Sequence, residues 1–140
     1  MDPFFLFGPV LAHVALVALL YLELGRRRAK AAKARLIEMD DYLIVRGDEP
    51  YFCAQVARSI VNQFELPVLF YALALSIVVT DTLSTLQLVL LSIFVVARYF
   101  QALVHITSNK VSVRGAFFIA GFCALMTSWI IFAITVLGKV

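Results

Sequence analysis

The sequence predicts an all-α integral membrane protein, a four-helix bundle that forms a single domain over residues 1–140. Of the 140 residues 63% are hydrophobic and the mean hydropathy is +0.96, whereas soluble domains contain about 45–50% apolar residues. Only 15% are charged. Four apolar stretches each reach the ~20 residues that span a bilayer as a helix, and none alternates as the strands of a membrane barrel do.

The apolar stretches predict transmembrane helices at about 4–25, 56–80, 83–109 and 115–138. The first begins without the basic segment of a signal peptide, so we expect it to be retained as a helix. The second contains Pro67, which has no backbone N–H and therefore predicts a kink. The fourth carries no charged side chain until its end.

The charge distribution predicts the orientation. The predicted loop 26–55 begins with basic residues and continues with Glu38, Asp40, Asp41, Asp48 and Glu49. The connection after the third helix is also basic, with Lys110 and Arg114. The positive-inside rule makes both connections cytoplasmic and both termini external, which Asp2 favours and Lys139 opposes. We expect a bacterial inner-membrane protein. Because the basic residues directly follow an apolar stretch, the net charge of +3 does not require a nucleic-acid partner.

Polar residues form one stripe on each of the two middle helices. The second helix carries Arg58, Asn62 and Glu65 at i, i+4 and i+7; the third carries Arg98, Gln101, His105 and Asn109 at i, i+3, i+7 and i+11. Each spacing places its residues on one helix face. Because ionisable groups inside a membrane are costly, such residues indicate a functional site by default.

A purely structural role is the alternative. Glu65 would then pair with Arg98 or Arg58, while Asn62 and Gln101 would form interhelical hydrogen bonds, each contributing about 0.6–2 kcal/mol. Arginines near helix ends can also extend to the interface. The number of polar groups exceeds what helix association needs, and it favours a polar ligand site.

Other polar residues predict packing rather than chemistry. His13 stands alone on an apolar helix, where we expect it to hydrogen-bond within the bundle, and Tyr71 and Tyr99 are expected to pack. Cys53 and Cys123 are far apart, which indicates neither a metal site nor a disulfide framework. No nucleophile–base pair and no glycine-rich phosphate loop is found in the sequence.

The run Arg58-Ser-Ile-Val-Asn62-Gln-Phe-Glu65-Leu-Pro67 resembles the second-helix signature of the membrane-associated proteins in eicosanoid and glutathione metabolism, the MAPEG family, in its bacterial form. Ala97-Arg98 with Gln101, His105 and Arg114 is similar to the family's third helix and the start of its fourth. The resemblance covers all four helices in order and length, including the basic segment after the first.

The resemblance implies a homotrimer that binds glutathione between neighbouring subunits, near the cytoplasmic side, with an acceptor site open to lipid. It assigns glutathione contacts to Arg58, Asn62, Glu65, Arg98, Gln101 and His105. It assigns thiolate stabilisation, the catalytic role, to Arg114. A basic residue reaching in from the adjacent subunit is expected among Arg26, Arg27, Arg28 and Lys30. No metal is implied.

The chemistry of these residues agrees with glutathione as co-substrate. Arginines form forked, charge-assisted bonds with carboxylates, and a carboxylate such as Glu65 binds an ammonium group. A thiol with a pKa near ~8.5 is mostly protonated at neutral pH, so a nearby permanent cation is needed to favour the thiolate. Lowering that pKa by about two units requires roughly 2.7 kcal/mol.

Three functions remain open from the sequence. The first is a membrane-bound glutathione-dependent transferase or peroxidase acting on lipophilic electrophiles or lipid hydroperoxides. The second is a non-catalytic lipid-binding or scaffold trimer of the same fold, since fold does not determine activity. The third is a small transporter in which Glu65 titrates, although no inverted repeat of the kind common in transporters is seen.

Overall fold

The computed structural model describes residues 1–37 and 49–138, and its regular elements are all helical. A 3₁₀ turn, Pro3–Leu6, leads into α1 (Phe7–Lys33); the chain continues through α2 (Tyr51–Val61), α3 (Pro67–Thr80), α4 (Thr85–Ile106) and α5 (Val111–Leu137). Three segments are long and apolar enough to span a membrane: Pro3–Lys33, Thr85–Ile106 and Val111–Leu137. The predicted all-α membrane bundle is confirmed.

The second predicted helix is divided into two. Instead of a kink within 56–80, residues 62–66 form turns between α2 and α3. Proline cannot donate a backbone hydrogen bond to the residue four positions earlier, but it is favoured in the first turn of a helix. The chain therefore ends α2 and restarts as α3 at Pro67. The helix also begins earlier than predicted, at Tyr51 after Pro50.

Together α2 and α3 run the length of α1 in the opposite direction. Near the C-terminal end of α1, Cys53 of α2 packs with Ala31. At the other end, Ile77 of α3 belongs to the same buried cluster as Leu6. The 14 residues of α3 are shorter than the ~20 needed to cross a bilayer. The second predicted transmembrane helix therefore corresponds to α2 and α3 in succession.

The basic segment is helical, which corrects the predicted loop at 26–55. Helix α1 continues to Lys33 because alanine, arginine and lysine are strong helix formers. It ends where Arg35 adopts φ 55° and the Leu36 N–H bonds the Ala31 carbonyl at 3.0 Å, an arrangement typical of helix C-termini. The acidic residues Glu38, Asp40, Asp41 and Asp48, and also Lys139, lie outside the described residues.

Helices α4 and α5 pack closely along much of their length. Gly121 lies at the crossing, where a Cβ would be in ordinary van der Waals contact with the Ala97 Cβ, 3.4 Å away. Small residues at such crossings are typical of membrane bundles. Helix α5 begins at Val111, before the predicted 115, so Arg114 stands in its first turn. Its position in the first turn of α5 fixes the direction in which the Arg114 side chain points.

Arg27 ties three helices together at the basic end of the bundle. Its Nε donates to Glu23 Oε1 at 2.6 Å, one terminal nitrogen donates to the Phe52 carbonyl at 2.6 Å, and the other donates to the Ile106 carbonyl at 2.8 Å. The Ile106 carbonyl belongs to the last turn of α4, where carbonyls lack helical partners and a cation is favourable. Arg27 therefore caps α4 while holding α1 to α2.

We expect Arg27→Gln to lower the free energy of unfolding by about 2 kcal/mol or more, because a charged donor to a carbonyl contributes about 1.5–3 kcal/mol. Arg26→Gln is the matched control, since Arg26 also bonds Glu23, but its side chain is 69% exposed. Its loss should cost much less stability, because an exposed ion pair is screened by solvent and contributes little. Chemical unfolding in detergent, followed by circular dichroism, measures both. Equal losses in the two variants would contradict the cap.

Candidate functional site

A cavity of about 520 Å³ opens between α2, the turns after it, α4 and α5. Its volume lies within the range of small-molecule sites. The chain before α4 contributes Arg58, Val61, Asn62 and Glu65; α4 contributes Gln101 and His105; α5 contributes Val111, Arg114, Gly115 and Phe118. The two polar stripes seen in the sequence thus meet in one place.

Most of the predicted site residues line this cavity. They are Arg58, Asn62, Glu65, Gln101, His105 and Arg114. Arg98 differs: it is 1% exposed and lies behind the wall of the cavity. Asn109, the last residue of the predicted third-helix stripe, lies beyond α4, which ends at Ile106 and not at the predicted 109, and it contacts Arg114.

Arg98 holds the break between α2 and α3. Its guanidinium donates to the Asn62 carbonyl, to Gln63 Oε1 at 3.3 Å and to Gln101 Oε1 at 2.5 Å. Asn62 caps the C-terminus of α2, where a cation is favourable. Sequence reasoning did not single out Gln63, and the only available signal was an amide beside Asn62 in an apolar segment.

The charged side chains that line the cavity do not form ion pairs with one another. In the part of the chain that the structure describes, the ion pairs involve Glu23 and Glu49, and neither Arg58 nor Glu65 forms one. Glu65 therefore forms no ion pair within 4 Å with Arg58 or Arg98, as the structural alternative would have it, although its charge acts on Arg98 over a longer distance. Two guanidinium groups and one carboxylate, Arg58, Arg114 and Glu65, face the same cavity.

Arg114 is aimed by a short hydrogen-bonded chain. One terminal nitrogen donates to Asn109 Oδ1 at 2.8 Å, and Asn109 Nδ2 donates to the Tyr51 hydroxyl at 2.9 Å. Asn109 has φ 47°, a left-handed conformation that asparagine tolerates better than most residues. The sequence spacing predicted that Arg114 lies near the site, across a loop. The turn at Asn109 brings the Arg114 side chain to the cavity.

His105 contacts Asn62 across the cavity, with 3.4 Å between Nδ1 and the Asn62 side-chain nitrogen. Because an amide nitrogen only donates, Nδ1 acts as the acceptor, and Nε2 carries the proton of the neutral ring. The pair links α4 to the end of α2. It places one imidazole N–H donor and one amide among the cavity groups.

The four basic residues predicted to reach a neighbouring subunit are not equivalent. Arg27 is engaged within the protomer, and Arg28 pairs with Glu49 at 2.6 Å. Arg26 and Lys30 are exposed, although Arg26 also bonds Glu23. Of the four, Arg26 and Lys30 therefore project from the protomer.

The model of the MAPEG family matches residues 6–134. The chain belongs to the MAPEG family. The match includes every residue that lines the cavity, and it confirms the resemblance drawn from the Arg58–Pro67 motif. No curated protein and no solved structure matches the chain. MAPEG membership makes this a membrane protein of a family related to glutathione and eicosanoid metabolism.

Proposed function

We propose that this MAPEG protein is a membrane-bound glutathione-dependent transferase or peroxidase acting on lipophilic electrophiles or lipid hydroperoxides. The observation that carries the proposal is the charge pattern of the cavity, in which Arg58, Arg114 and Glu65 have no ion-pair partner among the described residues. Glutathione presents the complementary set of two carboxylates, one ammonium group and one thiol.

The residues divide naturally between binding and activation. Arg58 binds a carboxylate through a forked pair of bonds, and Glu65 binds the ammonium group. Asn62, Gln101 and His105 bond the peptide groups. Arg114, held at one nitrogen by Asn109, keeps its other donors for the thiolate. Stabilising the thiolate by roughly 2.7 kcal/mol lowers the thiol pKa by about two units.

Counting charges supports a contribution from a second subunit. Once its thiol ionises, glutathione has three anionic groups, whereas the cavity of one protomer supplies two cations, Arg58 and Arg114. Arg26 and Lys30, exposed on the protomer, are candidates for the third cation. A neighbouring copy would also cover Arg58 and Glu65, both exposed, which are costly to leave facing lipid. These points favour the homotrimer, with the site between copies.

The edge of the cavity suits a lipophilic acceptor. Val61, Val111 and Phe118 line it and remain 57%, 68% and 39% exposed, so an apolar molecule can approach from lipid without crossing water. With an electrophilic carbon, the thiolate forms a thioether, either by displacing a leaving group as its anion or by adding to an activated double bond that then takes up a proton. With a hydroperoxide, the thiolate attacks the terminal oxygen and becomes a sulfenic acid while the O–O bond breaks, and the alkoxide released takes up a proton to become an alcohol. The thiol of a second glutathione then reacts with the sulfenic acid to give the disulfide and water.

The cavity lies towards the basic end of the bundle. Asn109, next to Arg114, bonds Tyr51, and the adjacent Phe52 carbonyl receives Arg27. We assign this end to the cytoplasm by the positive-inside rule, so glutathione enters from the cytoplasmic side of a bacterial inner membrane. Both termini are then external.

Titration of the detergent-purified protein with glutathione tests the proposal. We expect saturable binding with the ultraviolet absorbance of a thiolate at neutral pH. Arg114→Ala should abolish the thiolate signal while retaining binding, and Lys110→Ala, an exposed cation on the same turn, should change neither. Glu65→Gln should raise Kd about 10-fold or more, the equivalent of one charge-assisted hydrogen bond.

Absence of saturable binding by the unmodified protein would refute the proposed function. Binding without a thiolate signal, and without turnover of any electrophile or hydroperoxide, would favour the non-catalytic scaffold trimer.

Asn109→Gly tests whether the turn aims Arg114. Glycine accepts the φ of 47°, so the substitution removes the side-chain oxygen without straining the backbone. We expect kcat to fall about tenfold, as misplaced catalytic groups cause, with KM for glutathione nearly unchanged. Tyr51→Phe, which keeps Asn109 and removes only its outer partner, should give a smaller loss. A wild-type kcat in Asn109→Gly would rule out this positioning.

Mixed oligomers test the shared site. Copies carrying Arg114→Ala have no activating arginine, and copies carrying Arg26→Ala with Lys30→Ala lack the exposed cations. If each site takes a cation from its neighbour, co-expressed copies regain part of the activity that either variant alone loses. A site complete within one protomer would show no such recovery. Native mass spectrometry should find three copies per particle.

A further inference from the structure

A buried hydrogen-bonded chain connects α1 to the break that carries the cavity residues. Tyr71 Oη lies 2.8 Å from His13 Nδ1, and His13 Nε2 lies 3.3 Å from Gln63 Oε1. The same Gln63 oxygen accepts from Arg98 Nε at 3.3 Å. Among the described residues, those of α1 do not line the cavity. Through this series of hydrogen bonds, however, α1 contacts the groups that hold the cavity wall.

The direction of each bond follows from the donor and acceptor inventory. The Gln63 side-chain nitrogen donates to the Ser59 carbonyl at 3.0 Å, so its oxygen is an acceptor for both neighbours. His13 must therefore donate through Nε2 and, as a neutral ring, accept through Nδ1 from the Tyr71 hydroxyl. His13 is thus held at both nitrogens, and its tautomer is determined by its partners.

Burial makes these partners irreplaceable by water. The exposed fractions of His13, Gln63 and Arg98 are 0%, 2% and 1%. The rings of Phe70 and Phe94 lie 5.9 and 6.3 Å from the His13 ring, so its surroundings are otherwise apolar. A buried polar group that loses its hydrogen-bond partner is destabilised. Loss of the His13 side chain would therefore leave the Gln63 side chain free to turn.

The orientation of Gln63 affects the residues that line the cavity. If Gln63 turns, Arg98 loses one of three acceptors, and its hold on the Asn62 carbonyl weakens. Residues 62–66 form turn bonds, such as Gln63 N–H to the Ile60 carbonyl at 2.8 Å, but no continuous helical ladder, so side-chain bonds contribute to their geometry. Asn62 and Glu65, at the two ends of this segment, face the cavity.

We propose that His13 is a positioning residue for the ligand site: through Gln63 and Arg98 it sets the geometry of the α2–α3 break and so places Asn62 and Glu65. The inference rests on the proposed function for the identity of the ligand, glutathione. Its structural part, control of the break, is measurable without any ligand.

The test compares four variants by two measurements. The first is hydrogen–deuterium exchange of peptides that cover residues 59–70 and, as an internal reference, of peptides from α5. The second is glutathione titration with the thiolate signal. His13→Ala should speed exchange at the break but not in α5, and it should raise Kd about tenfold. The fraction of bound glutathione that is thiolate should stay constant, because Arg114 is held by Asn109, which is not part of the hydrogen-bonded series through His13.

The remaining variants separate positioning from general packing. His13→Gln, whose amide nitrogen can replace Nε2 towards Gln63, should restore most of the affinity. Tyr71→Phe, which leaves Gln63 bonded, should raise Kd only about two- to threefold and serves if His13→Ala does not fold. Leu11→Ala, on the same helix at a 63% exposed position, should change neither measurement.

Two outcomes would overturn the inference. One is normal exchange at residues 59–70 in both His13→Ala and Tyr71→Phe. The other is faster exchange with unchanged Kd, which would make His13 a packing residue only. If the unmodified protein binds no glutathione, the proposed function fails; a faster-exchanging break in His13→Ala would still show that His13 positions it.

Discussion

The site depends on one buried cation, Arg98, placed against a helix that proline has interrupted. Pro67 ends the run of helical backbone bonds, and the guanidinium of Arg98 donates to the Asn62 carbonyl at the end of α2 and to the Gln63 side-chain oxygen. The cation thereby satisfies a carbonyl that the interrupted helix leaves without a helical partner. Because there is no continuous helix at 62–66, the cavity residues within the break, Asn62 and Glu65, are positioned by side chains from α4 and, through His13, from α1.

This arrangement separates in space the two tasks of the proposed glutathione enzyme. The Arg98 network supports the groups proposed to bind the peptide, while Asn109 and Tyr51 support Arg114, proposed to act on the sulfur. Arg27 caps the end of α4 nearby and joins it to α2. Three arginines thus have three roles, and their partners distinguish them. Arg98 bonds a carbonyl and two side-chain amides, Arg27 bonds two carbonyls and Glu23, and Arg114 bonds Asn109 and lines the cavity.

Much of the candidate site was predictable because helical periodicity brings residues such as Arg58 and Glu65 to one face, and ionisable groups at such positions in a membrane indicate function. The same reasoning treated Arg98 as equivalent to its neighbours and omitted Gln63. Periodicity gives the angle of a side chain around its own helix; whether that side chain enters a cavity or a packed interior depends on the helix beside it. Arg98 meets the α2–α3 break, so it points inward.

The sequence alone determined the membrane class, the all-α fold, the family and the stripes of polar residues, because hydropathy, charge and short-range spacing are written directly in the chain. The tertiary structure decided that the second crossing is two helices, that the basic segment extends α1 to Lys33, and that Arg26 and Lys30 project where Arg27 does not. These outcomes depend on carbonyls and side chains far apart in sequence, such as Phe52 and Ile106 around Arg27. Local secondary-structure propensity does not predict which of these distant groups come into contact.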